Sequence, residues 1–219
     1  KALLVSVNSP GGTFVNSKEI FDSIVEIGDL IPTAVYMREM ATSGGYLLSC
    51  GAGRIFSNQG TITGSIGVIL QTANISDLLN KIGVDPIVIK SGELKAVPNP
   101  LEKVDENQVF YIQSIISGMQ SEFLNIIKSK RNISDESIDQ ISDGRILSST
   151  KAAELNLIDE IGTETDAIAW LRKEASLDDN VPVTEINDAK DFLNFVDLNF
   201  LSNKIKMNSL SGILALWVY

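Results

Sequence analysis

The chain has 219 residues, 44% of them hydrophobic, and 18 basic against 28 acidic side chains give a formal charge of −10. That length fits one domain with a real core, or one domain plus a tail; with an acidic balance and no basic cluster interleaved with aromatics, nucleic acid is excluded as the expected partner. Histidine is absent altogether, which excludes a Ser-His-Asp triad, a Cys-His pair and any histidine metal site.

No apolar run reaches the roughly 18 residues that argue for a membrane span, and no signal peptide opens the chain. It starts at Lys1 directly with an apolar strand pattern, so earlier residues are expected to be missing. Cys50 is the only cysteine. It can form no internal disulfide, it leaves the redox compartment open, and it reads as a small core residue.

Lys1 to Val7 reads as a buried strand, and Asn8-Ser9-Pro10-Gly11-Gly12 as a sharp turn after it. Such a turn is either a simple glycine loop or a device that aims a bare backbone N–H at a ligand oxygen. Asn16 to Ile27 reads as a helix, with Asn16 as cap, Glu19 completing a capping box, and Ile20, Ile24 and Ile27 on one face.

Thr33 to Met37 is a second strand, running toward Ala41-Thr42-Ser43-Gly44-Gly45-Tyr46-Leu47-Leu48. A small-residue helix leaves this stretch and extends to about Ala52. Ser43 thus falls on a tight strand-to-helix turn, where unpaired N–H groups and the positive dipole end favour a developing anion. The same pattern fits a plain serine N-cap with a glycine turn.

Arg54 to Ser57 is a short strand. In Thr61 to Ile69, glycines flank Ser65, which marks either a local turn or close approach to a backbone or ligand. Asn74 to Ile82 is a short helix and Asp85 to Lys90 another strand. Strands alternating with helices predict an α/β fold, a mainly parallel sheet with helices packed on it. On such sheets ligands sit beyond the carboxyl ends of strands, where Gly11-Gly12 and Ser43 are expected to converge.

Ser91 to Pro100 is a loop, because Pro98 and Pro100 exclude a helix. Lys95 lies there among Leu94, Ala96 and Val97. It is an ordinary solvated lysine unless the segment folds inward; desolvation then favours the neutral amine, which accepts a proton from a hydroxyl. Lys90 is the competing lysine, but it ends an alternating strand and is expected to face solvent.

Asp105 to about Arg131 is one long amphipathic helix with an apolar stripe from Val109 to Ile127, read as core or subunit contact. Shorter helices follow at Ser134 to Ile141, Ser149 to Leu155 and Thr163 to Ala175, the last capped by Thr163 and Asp166. Beyond Ser176 the pattern weakens, with a strand expected over Val181 to Ile186, a helix over Asp188 to Val196, and a short apolar end from Ile213 to Tyr219.

Five motifs occur in order: Ser-Pro-Gly-Gly at 9–12, Ala-Thr-Ser-Gly-Gly-Tyr at 41–46, Thr-Gly-Ser-Ile-Gly-Val at 63–68, Lys-Ser-Gly-x-x-Lys at 90–95 and Asp-Gly-Arg at 143–145. Together they resemble the signal peptide peptidase A family, the S49 peptidases, over residues 1–175. The resemblance implies a layered fold of the Clp/crotonase type over 1–175, and it leaves 176–219 as an extension of unknown role.

It further implies that Ser43 is a nucleophile, Lys95 its general base and Ser65 the hydroxyl orienting the amine. Gly44 and either Gly12 or Gly11 would form the oxyanion hole. The implied reaction is peptide hydrolysis by a Ser-Lys dyad, needing no metal or cofactor, on remnant signal peptides or other apolar, unfolded segments.

A ring-like homo-oligomer with sites near subunit interfaces is implied as well. So is membrane association through an N-terminal anchor that, with a first strand-helix unit, would precede Lys1. Two other readings remain: a Clp-like or stomatin-associated membrane-protein endopeptidase, and a silent scaffold of the same fold binding a membrane partner. An acyl-CoA enzyme of the crotonase type fits less well, because it has no need of a serine and a lysine at these positions.

Overall fold

The structure, a computed structural model, describes residues 1–186. Its elements are β1 (Leu3–Ser9), α1 (Phe14–Gly28), β2 (Thr33–Thr42), α2 (Gly44–Ser49), β3 (Arg54–Ser57), β4 (Ile62–Gly64), α3 (Ser76–Lys81), α4 (Glu106–Lys130), α5 (Asp135–Ile141), β5 (Ile146–Ser148), α6 (Ser149–Glu154), β6 (Glu160–Ile161) and α7 (Glu164–Glu174). They form two compact units, one of Lys1–Gly67 with the described residues from Phe123 onward, the other of Val68–Glu122.

The first unit is built on β2. One edge of this strand carries β1 in parallel, from Leu3 opposite Thr33 to Val7 opposite Met37. The other edge is shared: β3 pairs with Ala34–Met37 and β4 with Met40–Thr42, both parallel. β6 extends the β3 side in parallel, and β5 closes the β4 side antiparallel. The fold is therefore α/β with a mainly parallel sheet, as the alternation of elements predicts.

Both faces of the sheet are covered, so β2 is buried over Thr33–Met37 instead of alternating with polar residues. The strand period of two still sorts its side chains. Val35 and Met37 enter the larger core with Ile24, Tyr46, Leu47 and Ile127, while Ala34 and Tyr36 pack with Phe56 and Leu171 of α7 on the other side.

The strand switch from β3 to β4 exposes backbone acceptors of β2 in the interior. Thr61 donates its hydroxyl to the carbonyls of Met37 and Arg38, and Thr63 donates to Ala41 O at 2.7 Å. Ser149 in turn donates to Asn58 O at 2.6 Å. These buried hydroxyls explain polar residues at core positions, and they fix β4 against the last turn of β2, just before Ser43.

A second clamp holds the opposite end of the unit. Arg131, just past α4, pairs with both carboxylate oxygens of Asp159 at 2.9 Å and donates its Nε to Asn156 O. Asp159 also accepts Ile55 N–H at 2.7 Å. Burial works against the guanidinium charge, but the Asp159 hydrogen bonds together with the electrostatic attraction of Tyr46, Asp159 and Cys50 raise the Arg131 pKa. Beneath it Tyr46 donates its hydroxyl to Leu157 O at 2.8 Å, and Cys50 is a core thiol that burial pushes up to about 12.

Several local expectations change. Helix α1 is capped by Thr13, whose side chain accepts from Asn16 N, so Asn16 is an N3 donor and not the cap. β2 runs on to Thr42 because β4 supplies a partner past Met37. Asp85–Lys90 forms no strand: Ile87 and Ile89 are exposed, Pro86 lacks a donor, and no ladder partner exists among the described residues.

The α4 stripe is core only at its end, where Phe123 and Ile127 are buried; Val109, Phe110 and Ile115 are exposed. Val181 to Ile186 is likewise no strand, since Val181 closes a turn with Asp178, its carbonyl accepts from Arg172, and Pro182 follows. The helix expected at Asp188 to Val196 and the apolar end from Ile213 lie outside the described residues.

Candidate active site

β2 delivers the chain to Ser43, which turns sharply into α2 with φ 53° and ψ −120°. A side chain at positive φ is strained, by about 1–3 kcal/mol, and persists only where its surroundings impose it. Here Ser43 N–H donates to Gly64 O at 2.8 Å, and Ser43 O accepts from Tyr46 and Leu47 N–H at 2.9 and 3.0 Å. The residue stands at the N-cap position, yet its side chain makes no cap hydrogen bond. The plain N-cap reading fails for that reason. The half-buried hydroxyl is not spent on the helix.

The turn after β1 lies against this elbow. A Cβ built on Gly11, whose φ is 109°, would stand 2.8 Å from Ser43 Cβ and 3.0 Å from Gly44 N. A Cβ on Gly44 would stand 3.1 Å from Gly12 N and 2.2 Å from Ser17 Oγ. Gly11, Gly12, Ser43 and Gly44 thus converge at the carboxyl ends of β1 and β2, as expected from their places after strands.

Their donors differ. Gly11 N–H is taken by Ser9 Oγ at 3.1 Å. Among the described residues Gly12 N–H and Gly44 N–H have no acceptor; Gly44 opens a helix, where N–H groups lack intrahelical partners.

Ser65 stands one position past β4, whose Gly64 pairs with Thr42. It too has positive φ, 51°, and its N–H donates to Arg145 O at 2.8 Å. Two strained serines therefore end neighbouring parallel strands. The Asp143-Gly144-Arg145 turn supports the second one: Asp143 accepts from Arg145 N, Nε and Nη2. The Arg145 hydrogen bonds hold the Asp143 carboxyl below the usual carboxylate range.

Lys95 belongs to the second unit, exposed, in the loop after Lys90, with its N–H donating to Gly92 O at 3.1 Å. Lys90 does not face solvent: its side chain is 15% exposed and its ammonium pairs with Glu102. Sequence reasoning missed the roles of Ser17, which backs Gly44, and of Arg145, whose carbonyl holds Ser65. The Asp-Gly-Arg motif was the available signal for the second; nothing marked the first.

Gly44 gives a direct test. In Gly44→Ala the new methyl meets both Ser17 Oγ and the Gly12 backbone. On an oxyanion role for Gly44 N–H, displacing that donor should lower kcat/KM for peptide hydrolysis about 10²-fold, together with a lower melting midpoint. Adding Ser17→Ala removes the closer clash, so the midpoint should recover while the rate should not.

A serine on a strained strand-to-helix turn, flanked by unspent backbone N–H groups on a parallel sheet, is the arrangement by which α/β hydrolytic enzymes present a nucleophilic hydroxyl. The model of Peptidase family S49 matches residues 28–178. The chain belongs to peptidase family S49.

Among its relatives is a provisionally named signal peptide peptidase SppA of Enterococcus faecium, 37% identical over 94% of this chain and 59% of its own length. A provisionally named protease of Synechocystis is 38% identical over 86% of this chain and 69% of its own. Protease 4 of Haemophilus influenzae is 32% identical over 77% of this chain and 27% of its own. The chain thus spans well under the full length of most relatives it matches. A solved ClpP1 variant from Listeria monocytogenes superposes with a TM-score of 0.48 at 18% identity, covering 76% of this chain and 77% of that one.

Proposed function

We propose that this chain is a serine endopeptidase working through a Ser43–Lys95 dyad. Ser43 Oγ attacks the scissile carbonyl as neutral Lys95 Nζ takes its proton. Gly44 and Gly12 N–H hold the oxyanion. The Lys95 ammonium then protonates the leaving amine, the C–N bond breaks and an ester to Ser43 remains. Water adds to that ester, giving a proton to Lys95, and the second tetrahedral intermediate expels Ser43 Oγ, which is reprotonated. Ser65 orients the Lys95 amine through its hydroxyl.

The substrates are remnant signal peptides or other apolar, unfolded segments; the name of the Enterococcus relative, a signal peptide peptidase, supports the first of these. The active form is a homo-oligomer with sites at or near subunit interfaces, and it associates with a membrane. Among the described residues no helix is long and apolar enough to cross one.

The observation carrying this reading is the uncapped Ser43 hydroxyl at φ 53°, beside two unspent N–H groups. A fluorophosphonate should label the protein once per chain, at Ser43 by peptide mapping, with labelling lost in Ser43→Ala. An unlabelled protein would favour the silent scaffold. Turnover of folded membrane-protein substrates in preference to apolar peptides would favour the stomatin-associated type.

A further inference from the structure

The second unit holds an ion pair that the reaction above does not use. Lys90 and Glu102 stand at the two ends of the loop that carries Lys95, and they are joined through their side chains, 15% and 34% exposed. Asn99 Nδ2 donates to the same Glu102 oxygen at 3.1 Å, and its Oδ1 accepts from Leu101 N at 3.0 Å.

The closed base is also tied to the start of α3. Asn74 donates to Glu102 O at 2.6 Å, and Ile75 N–H donates to Pro100 O at 2.9 Å. Asn74 Oδ1 accepts from both Ser76 N and Ser76 Oγ. The loop's ends therefore meet at a hydrogen-bonded hub, an Ω-type closure, with Lys95 near the middle of the enclosed segment.

An exposed loop lysine with open ends samples many positions, and each costs rate, because a reacting group displaced by about 1 Å can lose about 10²-fold. Pro98 and Pro100 stiffen one limb of the loop. The other limb has no proline; Gln108 Nε2 reaches Glu93 O at 3.5 Å, and the Lys90–Glu102 pair returns the limb to the hub.

We propose that Lys90, Glu102 and Asn99 are positioning residues that clasp the Lys95 loop shut and so place the Lys95 amine for proton transfer. This inference rests on the proposed role of Lys95.

The test compares steady-state peptide hydrolysis by the full chain, well below each variant's melting midpoint. Lys90→Met and Glu102→Ala should lower kcat about 10- to 100-fold with KM nearly unchanged. Lys90→Arg, which keeps the ion pair, should stay near the parent rate. Glu102→Gln keeps the acceptor for Asn99 but loses the charge; it should fall in between, and it serves if Glu102→Ala does not fold.

Because the clasp acts through Lys95, adding Lys90→Met to Lys95→Ala should produce no further loss, whereas a general structural defect would add. Unchanged kcat in Lys90→Met and Glu102→Ala, equal falls in Lys90→Arg and Lys90→Met, or full additivity with Lys95→Ala would each overturn the clasp. Near-normal turnover in Lys95→Ala alone would instead overturn the dyad, and the two failures are therefore told apart.

Discussion

Ser43→Ala should lower kcat for peptide hydrolysis by about 10⁴- to 10⁶-fold, the loss seen when a serine nucleophile is removed from its machinery. The melting midpoint should hardly move. Removing an N-cap serine ordinarily costs about 0.5–2 kcal/mol, because its side chain satisfies a helix N–H. Ser43 makes no such bond, and alanine is no worse suited to φ 53° than serine. The backbone bonds to Gly64, Tyr46 and Leu47 do not involve the side chain. Catalysis and stability are therefore expected to separate at this residue. A variant that keeps more than about one part in 10³ of its turnover, or that melts well below the parent, would mean the hydroxyl serves the fold.

The sequence made this elbow visible because its parts are local. An extended apolar run, a serine, two glycines and an apolar helix occupy consecutive positions, and each has one natural geometry. The capping box of Thr163 and Asp166 was legible for the same reason, and both of its reciprocal bonds are present.

What stayed hidden depends on partners distant in the chain. Asp85 to Lys90 has a strand's alternation but no neighbouring ladder, and a period of two does not reveal whether an edge is available. The extension of β2 to Thr42 requires β4, twenty residues on. Thr13 and Asn16 both stand three residues before a plausible partner, and the choice between them falls to where the chain leaves the Gly11-Gly12 turn. Lys90 reads as a solvent-facing strand residue until Glu102 is brought back to it by the loop. The candidate site follows the same division: Ser43, Gly44 and the Gly11-Gly12 turn are readable in place, whereas Ser17 against Gly44 and Arg145 against Ser65 are tertiary facts.

Lys95→Ala and Lys95→Arg should both lose about 10²- to 10⁴-fold in kcat, the range general-base catalysis contributes. The pair of substitutions separates two roles for a lysine here. If the side chain served as a fixed cation, holding a loop or steering an acidic substrate, arginine would restore most of the function, since it keeps the charge and most of the reach. A base must release its proton at working pH, which a guanidinium does not do. Both variants should keep the parent melting midpoint, because Lys95 is exposed and its N–H bond to Gly92 O belongs to the backbone. Fluorophosphonate labelling of Ser43 should slow in parallel, since it draws on the same deprotonation. Recovery of turnover in Lys95→Arg would remove Lys95 as the base, while leaving Ser43 and its backbone donors in need of another proton acceptor.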